Sequence, residues 1–185
     1  MVLAEADGDR LTEHELLGLA VLLLVAGHET TVSLIGNSLH ALLQNPLQLK
    51  AVLEGEASAK QFIDEMLRFD SPVQMTTRIA MQPIELGEHT IAPGHIIVLM
   101  LGAANHDPMV FENPEQLDVG LERATSHLAF GAGIHHCLGA VLARAEGEIT
   151  VIELLRKFPN IRLFEEPLMR PTFVLRGREK MLVQL

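Results

Sequence analysis

The 185-residue chain holds one cysteine, no tryptophan and no tyrosine, and aromatic residues make up 4% of it. A single cysteine excludes an internal disulfide and fits a reducing compartment. With 24 acidic against 14 basic residues and a net charge of −10, the chain lacks the basic footprint of a nucleic-acid binder, and with so few aromatics it also lacks the stacking platforms. No basic-then-apolar signal pattern opens the sequence, so a cytoplasmic location is expected. The longest apolar run, Leu16 to Gly27 between Glu15 and His28, falls short of the roughly 18 to 20 residues that span a bilayer, so no membrane span is expected. Internal repeats and low-complexity tracts are absent. What is present is 48% apolar residues, enough for one sizeable core, and residues 1–185 read as a single domain.

Helix signals come first along the chain. Thr12 and Glu15 fit a capping box, and the apolar residues that follow recur at steps of three and four, which predicts a long helix to about Gln44. Pro46, with Asn45 as cap, starts a short helix through Leu53. The first half of the long helix is apolar nearly all round, which predicts burial. Its middle is polar: Ala26, Gly27, His28, Glu29, Thr30 and Thr31. A zinc-protease reading needs a second histidine at position 32, where Val32 stands. Mid-helix Thr30 and Thr31 are also of the type that bonds back to carbonyls one turn earlier.

A helical pattern from Ala57 to Phe69 carries Glu65 and Arg68 three apart on one face. Residues 73–101 alternate as strands do, with turns at Gly87 and at Pro93 and Gly94. Residues 105–114 read as irregular loop. A helix is expected from Leu138 to Phe158, ended by Pro159, with Arg144 solvated on it. Pro171 to Leu185 reads as a hairpin with Gly177 at its turn. The whole is mainly α with a smaller β part.

The sole cysteine, Cys137, lies in the segment Phe130, Gly131, Ala132, Gly133, Ile134, His135, His136, Cys137, Leu138, Gly139. Glycines 131 and 133 allow a loop with positive φ and close approach to a bulky partner. At the mouth of the following helix, dipole and unpaired N–H groups favour thiolate over thiol. A free cysteine is most often a small buried hydrophobe; here the glycines and histidines favour a metal ligand. Zinc lacks a second Cys/His pair at suitable spacing, and covalent c-type haem lacks its CxxCH. One thiolate on one metal is left, the haem-thiolate arrangement.

Residues 130–139 resemble the FGxGxHxCxG haem signature of the cytochrome P450 family, with all six specified positions filled. The resemblance implies haem b with Cys137 as the axial thiolate, whose electron push helps to cleave dioxygen. It implies that His135 and Arg78 meet haem propionates, and that Phe130, Gly131, Gly139, Ala143 and, on the long helix, Ala26 contact the haem. Residues 26–31 resemble the family's oxygen-activating motif, which makes Thr30 the hydroxyl that hydrogen-bonds dioxygen and Glu29 the acid of a proton relay. Glu65 and Arg68 match the family's buried E-x-x-R. Arg123 is the nearest candidate for the third member of its Glu-Arg-Arg network, although it is shifted relative to His127. Arg144 lies where the family's electron donor docks, and His136 has no assigned role.

The match corresponds to the C-terminal half of the family's fold, with a long oxygen-binding helix over a cysteine-loop haem site. Two functions follow as expectations. One is a haem-thiolate monooxygenase that takes electrons from ferredoxin and ferredoxin reductase type donors and inserts oxygen into a small apolar substrate. The other is a truncated, non-catalytic remnant or haem-binding fragment that needs its other half, or self-association through exposed core surface.

Overall fold

A computed structural model describes residues 5–6 and 9–185. Its main element is helix α1, Glu13–Gln44, followed by α2, Pro46–Glu54, and α3, Ala59–Phe69. Two short strands, β1 (Glu5–Ala6) and β2 (Asp9–Arg10), precede them. Strands β3 (Thr76–Ile79), β4 (Ile84–Leu86), β5 (His89–Ile91) and β6 (Ile96–Leu99) come next, then the single turn α4, Leu101–Ala104. Helix α5 spans Ala140–Lys157, and β7 (Arg162–Leu163) and β8 (Val183–Gln184) close the order. Two 3-10 turns, Glu122–Ser126 and Gly133–His135, flank the cysteine loop's approach. The chain is helix-rich with small sheets.

The helix starts follow local chemistry. Thr12 Oγ1 accepts the Glu15 amide, and Glu15 Oε2 accepts the Thr12 amide at 2.8 Å, the expected capping box. The bond from the Thr12 amide, and after it one from the Thr12 hydroxyl to the same oxygen, hold the Glu15 carboxyl below its ordinary value. Ser58 and Gln61 form a second box at the start of α3. Asn45 behaves differently from expectation: its side chain makes no cap bond to α2 and instead donates to the Ala41 carbonyl, finishing α1.

One core joins α1, α3 and α5. Leu34, Leu39 and Leu42 from α1 meet Phe62, Ile63, Met66 and Leu67 from α3 and Val151 and Leu155 from α5. At Gly147 α5 packs tightly on both α1 and α3: a Cβ there would sit 2.8 Å from Ile63 Cδ1 and 3.0 Å from Leu34 Cδ2. This close approach fixes where the N-terminus of α5, and with it the cysteine loop, stands relative to α1.

The β part consists of antiparallel pairs. In β3–β6, Thr76 faces Leu99 and Ile79 faces Ile96; in β4–β5, Ile84 faces Ile91. The turns fall at Gly87 (φ 59°) and Gly94 (φ 84°), as the sequence indicated. At the C-terminus the expectation of a 171–185 hairpin is corrected. Strand β8 pairs with β7, Met169 bridges Arg178, and Leu175 bridges Val73. Gly177 does not turn the chain. It packs flat on α1, where a Cβ would overlap Ser33 Oγ.

The first half of α1 is corrected as well. Apart from the half-buried Leu16 and Leu19 it is exposed, with Leu24 at 71% and Val21, Leu22 and Val25 all above half exposed. By length and composition α1 is long and apolar enough to cross a membrane. Its second half, however, is built into the core, where Asn37 donates to the carbonyls of Asp70 and Arg176.

Candidate functional site

The loop from Phe130 to Gly139 turns twice in the left-handed region, at Gly131 (φ 67°) and Gly133 (φ 71°). Side chains with a Cβ rarely adopt these angles. The loop then folds back so that the Cys137 amide donates to the Phe130 carbonyl at 3.0 Å. Residues 132–139 are exposed, Cys137 among them, so the burial expected of an ordinary free cysteine does not apply. Helix α5 begins at Ala140 with Gly139 as N-cap, two residues later than the sequence pattern indicated, and Cys137 lies just outside it. The Ala143 amide closes the first turn onto the Gly139 carbonyl.

The loop rests on a buried polar support that sequence reading missed. Asp64, on α3, accepts the Arg144 Nε–H at 2.6 Å and lies 3.3 Å from His127 Nε2. The Arg144 guanidinium carbon stands 4.6 Å from the centre of the Phe130 ring. Arg144 is therefore anchored rather than solvated. Burial pushes the Asp64 carboxyl up, but the hydrogen bonds from His127 and Arg144 and the guanidinium charge outweigh it and hold the group below its ordinary value. Asn105 is a second unforeseen support: Oδ1 accepts the Leu128 amide and Nδ2 donates to Ser71 Oγ, both at 2.7 Å.

Glu65 and Arg68 are fully buried. All five Arg68 N–H groups are engaged, two on the Glu65 carboxylate at 2.7 and 2.8 Å and three on the carbonyls of Asn105, Pro114 and Gln116. Glu65 Oε1 also accepts the Asp118 amide. Burial raises the Glu65 carboxyl above its ordinary value, and the Arg68 and Asp118 hydrogen bonds recover only part of that. The Arg123 side chain lies outside the described residues.

On α1, Thr30 Oγ1 donates to the Ala26 carbonyl at 2.7 Å, the back-bonding open to a mid-helix threonine. Glu29 turns to the C-terminal segment, where it pairs with Arg170 at 2.5 Å. A cavity of about 370 Å³ opens beside Leu24, Val25, His28 and Glu29. A larger one, about 460 Å³, lies further along α1 among His40, Asp70, Gln74 and Arg178, and Arg68 is the one candidate residue on its wall. Arg78 is exposed on β3 and binds locally, to Thr76 Oγ1 and the Thr77 carbonyl. His135 is exposed, and the His136 ring lies 6.4 Å from that of Phe130.

Residues 58–180 match the cytochrome P450 family model. The chain belongs to the cytochrome P450 family. Cytochrome P450 107B1 of Saccharopolyspora erythraea is 45% identical over 185 residues, which cover 98% of this chain and 45% of that protein. The structure of P450BioI in complex with hexadec-9Z-enoic acid ligated acyl carrier protein superposes with a TM-score of 0.91 at 44% identity, over 95% of this chain and 46% of that one. The Bacillus subtilis bacillaene polyketide synthase P450 PksS gives 0.93 at 40% identity, over 99% and 48%. The fold is thus part of the P450 fold, and the chain spans about half the length of the relatives it matches. Members of the family are haem-dependent monooxygenases.

The residues present suit the group that the P450 family carries. Haem is a broad apolar ring that asks for one strong axial donor. The loop offers one exposed thiol, two exposed imidazoles beside it, and apolar neighbours in Ile134 (96% exposed) and Leu138 (90%).

Proposed function

We propose that this chain is the haem-binding part of a haem-thiolate monooxygenase, with Cys137 as the iron ligand. The observation that carries the reading is the sole thiol of a P450-family chain, displayed on a glycine-bent loop whose backbone is tied to Phe130. When bound, haem supplies dioxygen activation and insertion of one oxygen atom into an apolar substrate, with electrons from a ferredoxin-type donor. Gly131 and Gly139 keep side chains clear of the ring, and Phe130, Ala143 and, on α1, Ala26 give it apolar neighbours. His135 and Arg78 supply N–H donors for its carboxylates, for which Arg78 exchanges its local bonds.

On α1 the chemistry is proton handling. The Thr30 hydroxyl donates to Ala26 and keeps its own lone pairs free; rotated outward, it donates to a small ligand instead. Glu29 is an ionisable carboxyl one residue away, held by Arg170 until it turns inward. Arg123 is the proposed third member of the Glu65 and Arg68 network. The setting is a reducing, cytoplasmic one, consistent with a lone free thiol.

A second reading, a haem-binding fragment that requires further polypeptide, is favoured by one observation. The chain exposes 12466 Å², against about 8,800 Å² for a monomeric protein of its mass. Apolar side chains of α1, Val21, Leu22, Leu24 and Val25, are among those left more than half exposed.

The ferrous carbon-monoxide spectrum of the haem-reconstituted chain tests the first reading. A Soret band at the thiolate position is expected, and Cys137→Ser abolishes it. A Cys137→Ser chain that kept the band would refute the ligand assignment. Absence of haem uptake by the wild-type chain alone, restored by co-expression with the unmatched portion of a relative, favours the second reading.

A further inference from the structure

Asp64 and Glu65 are adjacent on α3 and face different partners. Glu65 holds Arg68 and the 105–118 segment, whereas Asp64 reaches the approach to the cysteine loop. The Asp64 side chain is 1% exposed, and among the described residues its Oδ2 has no partner. A buried charge is costly unless it is paired and hydrogen-bonded, and here Oδ1 carries that pairing. What it holds is Arg144, whose side chain is 27% exposed and would otherwise extend into water.

The contacts form a continuous path to Cys137. His127 Nδ1 accepts the Ala129 amide at 3.1 Å, which leaves the proton on Nε2, directed at Asp64 Oδ1. Arg144 Nε–H donates to the same oxygen, and its Nη1 reaches the Ala140 carbonyl at 3.5 Å. Asp64 thereby ties the segment entering the loop, at His127, to the first turn of the helix leaving it. The guanidinium lies against one side of the Phe130 ring, and the His127 ring is 5.7 Å from it. Phe130 in turn supplies the carbonyl that receives the Cys137 amide.

We infer that Asp64 is a positioning residue for the cysteine loop, acting through Arg144 and Phe130 to set where the Cys137 backbone stands. The inference rests on the reading of that loop as the haem site for its functional meaning, but its test needs no haem. A charge is required because an uncharged acceptor grips a partly exposed guanidinium too weakly to keep it against the ring.

The test is amide hydrogen exchange on the full-length chain, comparing residues 130–137 with the core half of α1, Leu34 to Leu42. In Asp64→Asn the Cys137 amide exchanges about tenfold faster or more, as loss of one charge-assisted hydrogen bond implies, while Leu34 to Leu42 stay at the wild-type rate. Arg144→Met, at a position whose side chain is 27% exposed, shows the same pattern and carries the test should Asp64→Asn not fold. The double variant is no faster than Arg144→Met alone, because both changes break one path. Equal acceleration of loop and core, an unchanged Cys137 amide, or additive single effects would each overturn the inference. Failure of haem uptake with this exchange pattern intact would overturn the proposed function and leave the positioning role standing.

Discussion

Replacing Arg68 by lysine keeps the charge and removes the fork. In the structure five N–H groups meet five acceptors, of which three are backbone carbonyls from the 105–116 segment and two are Glu65 oxygens. An ammonium offers three donors around one point and cannot span that spread, so at least two acceptors lose their partner in a site that is 1% exposed. Each buried unpaired acceptor costs roughly 1–3 kcal/mol, so Arg68→Lys costs about 2–6 kcal/mol. Arg68→Met leaves Glu65 buried without a counter-charge, an outcome worth about 3–5 kcal/mol for the pair alone. Both figures are large beside the total of about 5–15 kcal/mol that holds a domain folded. Urea unfolding followed by far-ultraviolet circular dichroism at pH 7 reads the effect directly. With a slope of about 2–3 kcal/mol/M, the midpoint for Arg68→Lys falls by roughly 0.7–3 M. An unchanged midpoint would refute the reasoning, since it would mean that the five hydrogen bonds contribute nothing net over their solvated alternatives.

Three further outcomes are expected. Asp64 is held below its ordinary value of 3.8, so its hold on the loop is present above that value and is lost as pH falls through the folded value; the ratio of Cys137 amide exchange in Asp64→Asn to that in wild type, taken at the same pH, is therefore largest at pH 6 and falls toward one at pH 3. Gly177→Ala brings a Cβ into Ser33 Oγ and costs about 1–3 kcal/mol of overpacking, part of which Ser33→Ala recovers in the double variant, as thermal unfolding would show. Leu24→Gln, at an exposed position, changes stability by less than about 0.5 kcal/mol and reduces light scattering of the concentrated chain; a loss of several kcal/mol would mean that Leu24 is buried against this chain after all.

Those expectations separate what was legible in the sequence from what was not. The capping box at Thr12, the turns at Gly87 and Gly94 and the bend at Gly131 and Gly133 are written within a few residues, because caps and positive φ depend on neighbours and on the absence of a Cβ. The glycine-bent loop around the sole thiol is legible for the same reason, and so is the i, i+3 spacing of Glu65 and Arg68. The same kind of reading placed Gly177 at a turn and Arg144 in solvent. Both errors come from partners remote in sequence: Ser33 lies under Gly177, and Asp64 is 80 positions from Arg144.

The first half of α1 shows the other limit. Its composition dictates that water is a poor solvent for every face, which made burial the natural expectation. Burial, however, is a property of what surrounds a helix, and in this chain α3, α5 and the C-terminal segment reach only its second half. By itself the sequence determined the local conformations, the family and the sole thiol, since each is carried by short runs of residues. Tertiary structure alone decided that Asp64 and Arg144 clamp Phe130, that Arg170 holds Glu29 and that Arg68 gathers three distant carbonyls, because a hydrogen bond across a hundred residues exists only once the chain has brought its ends together.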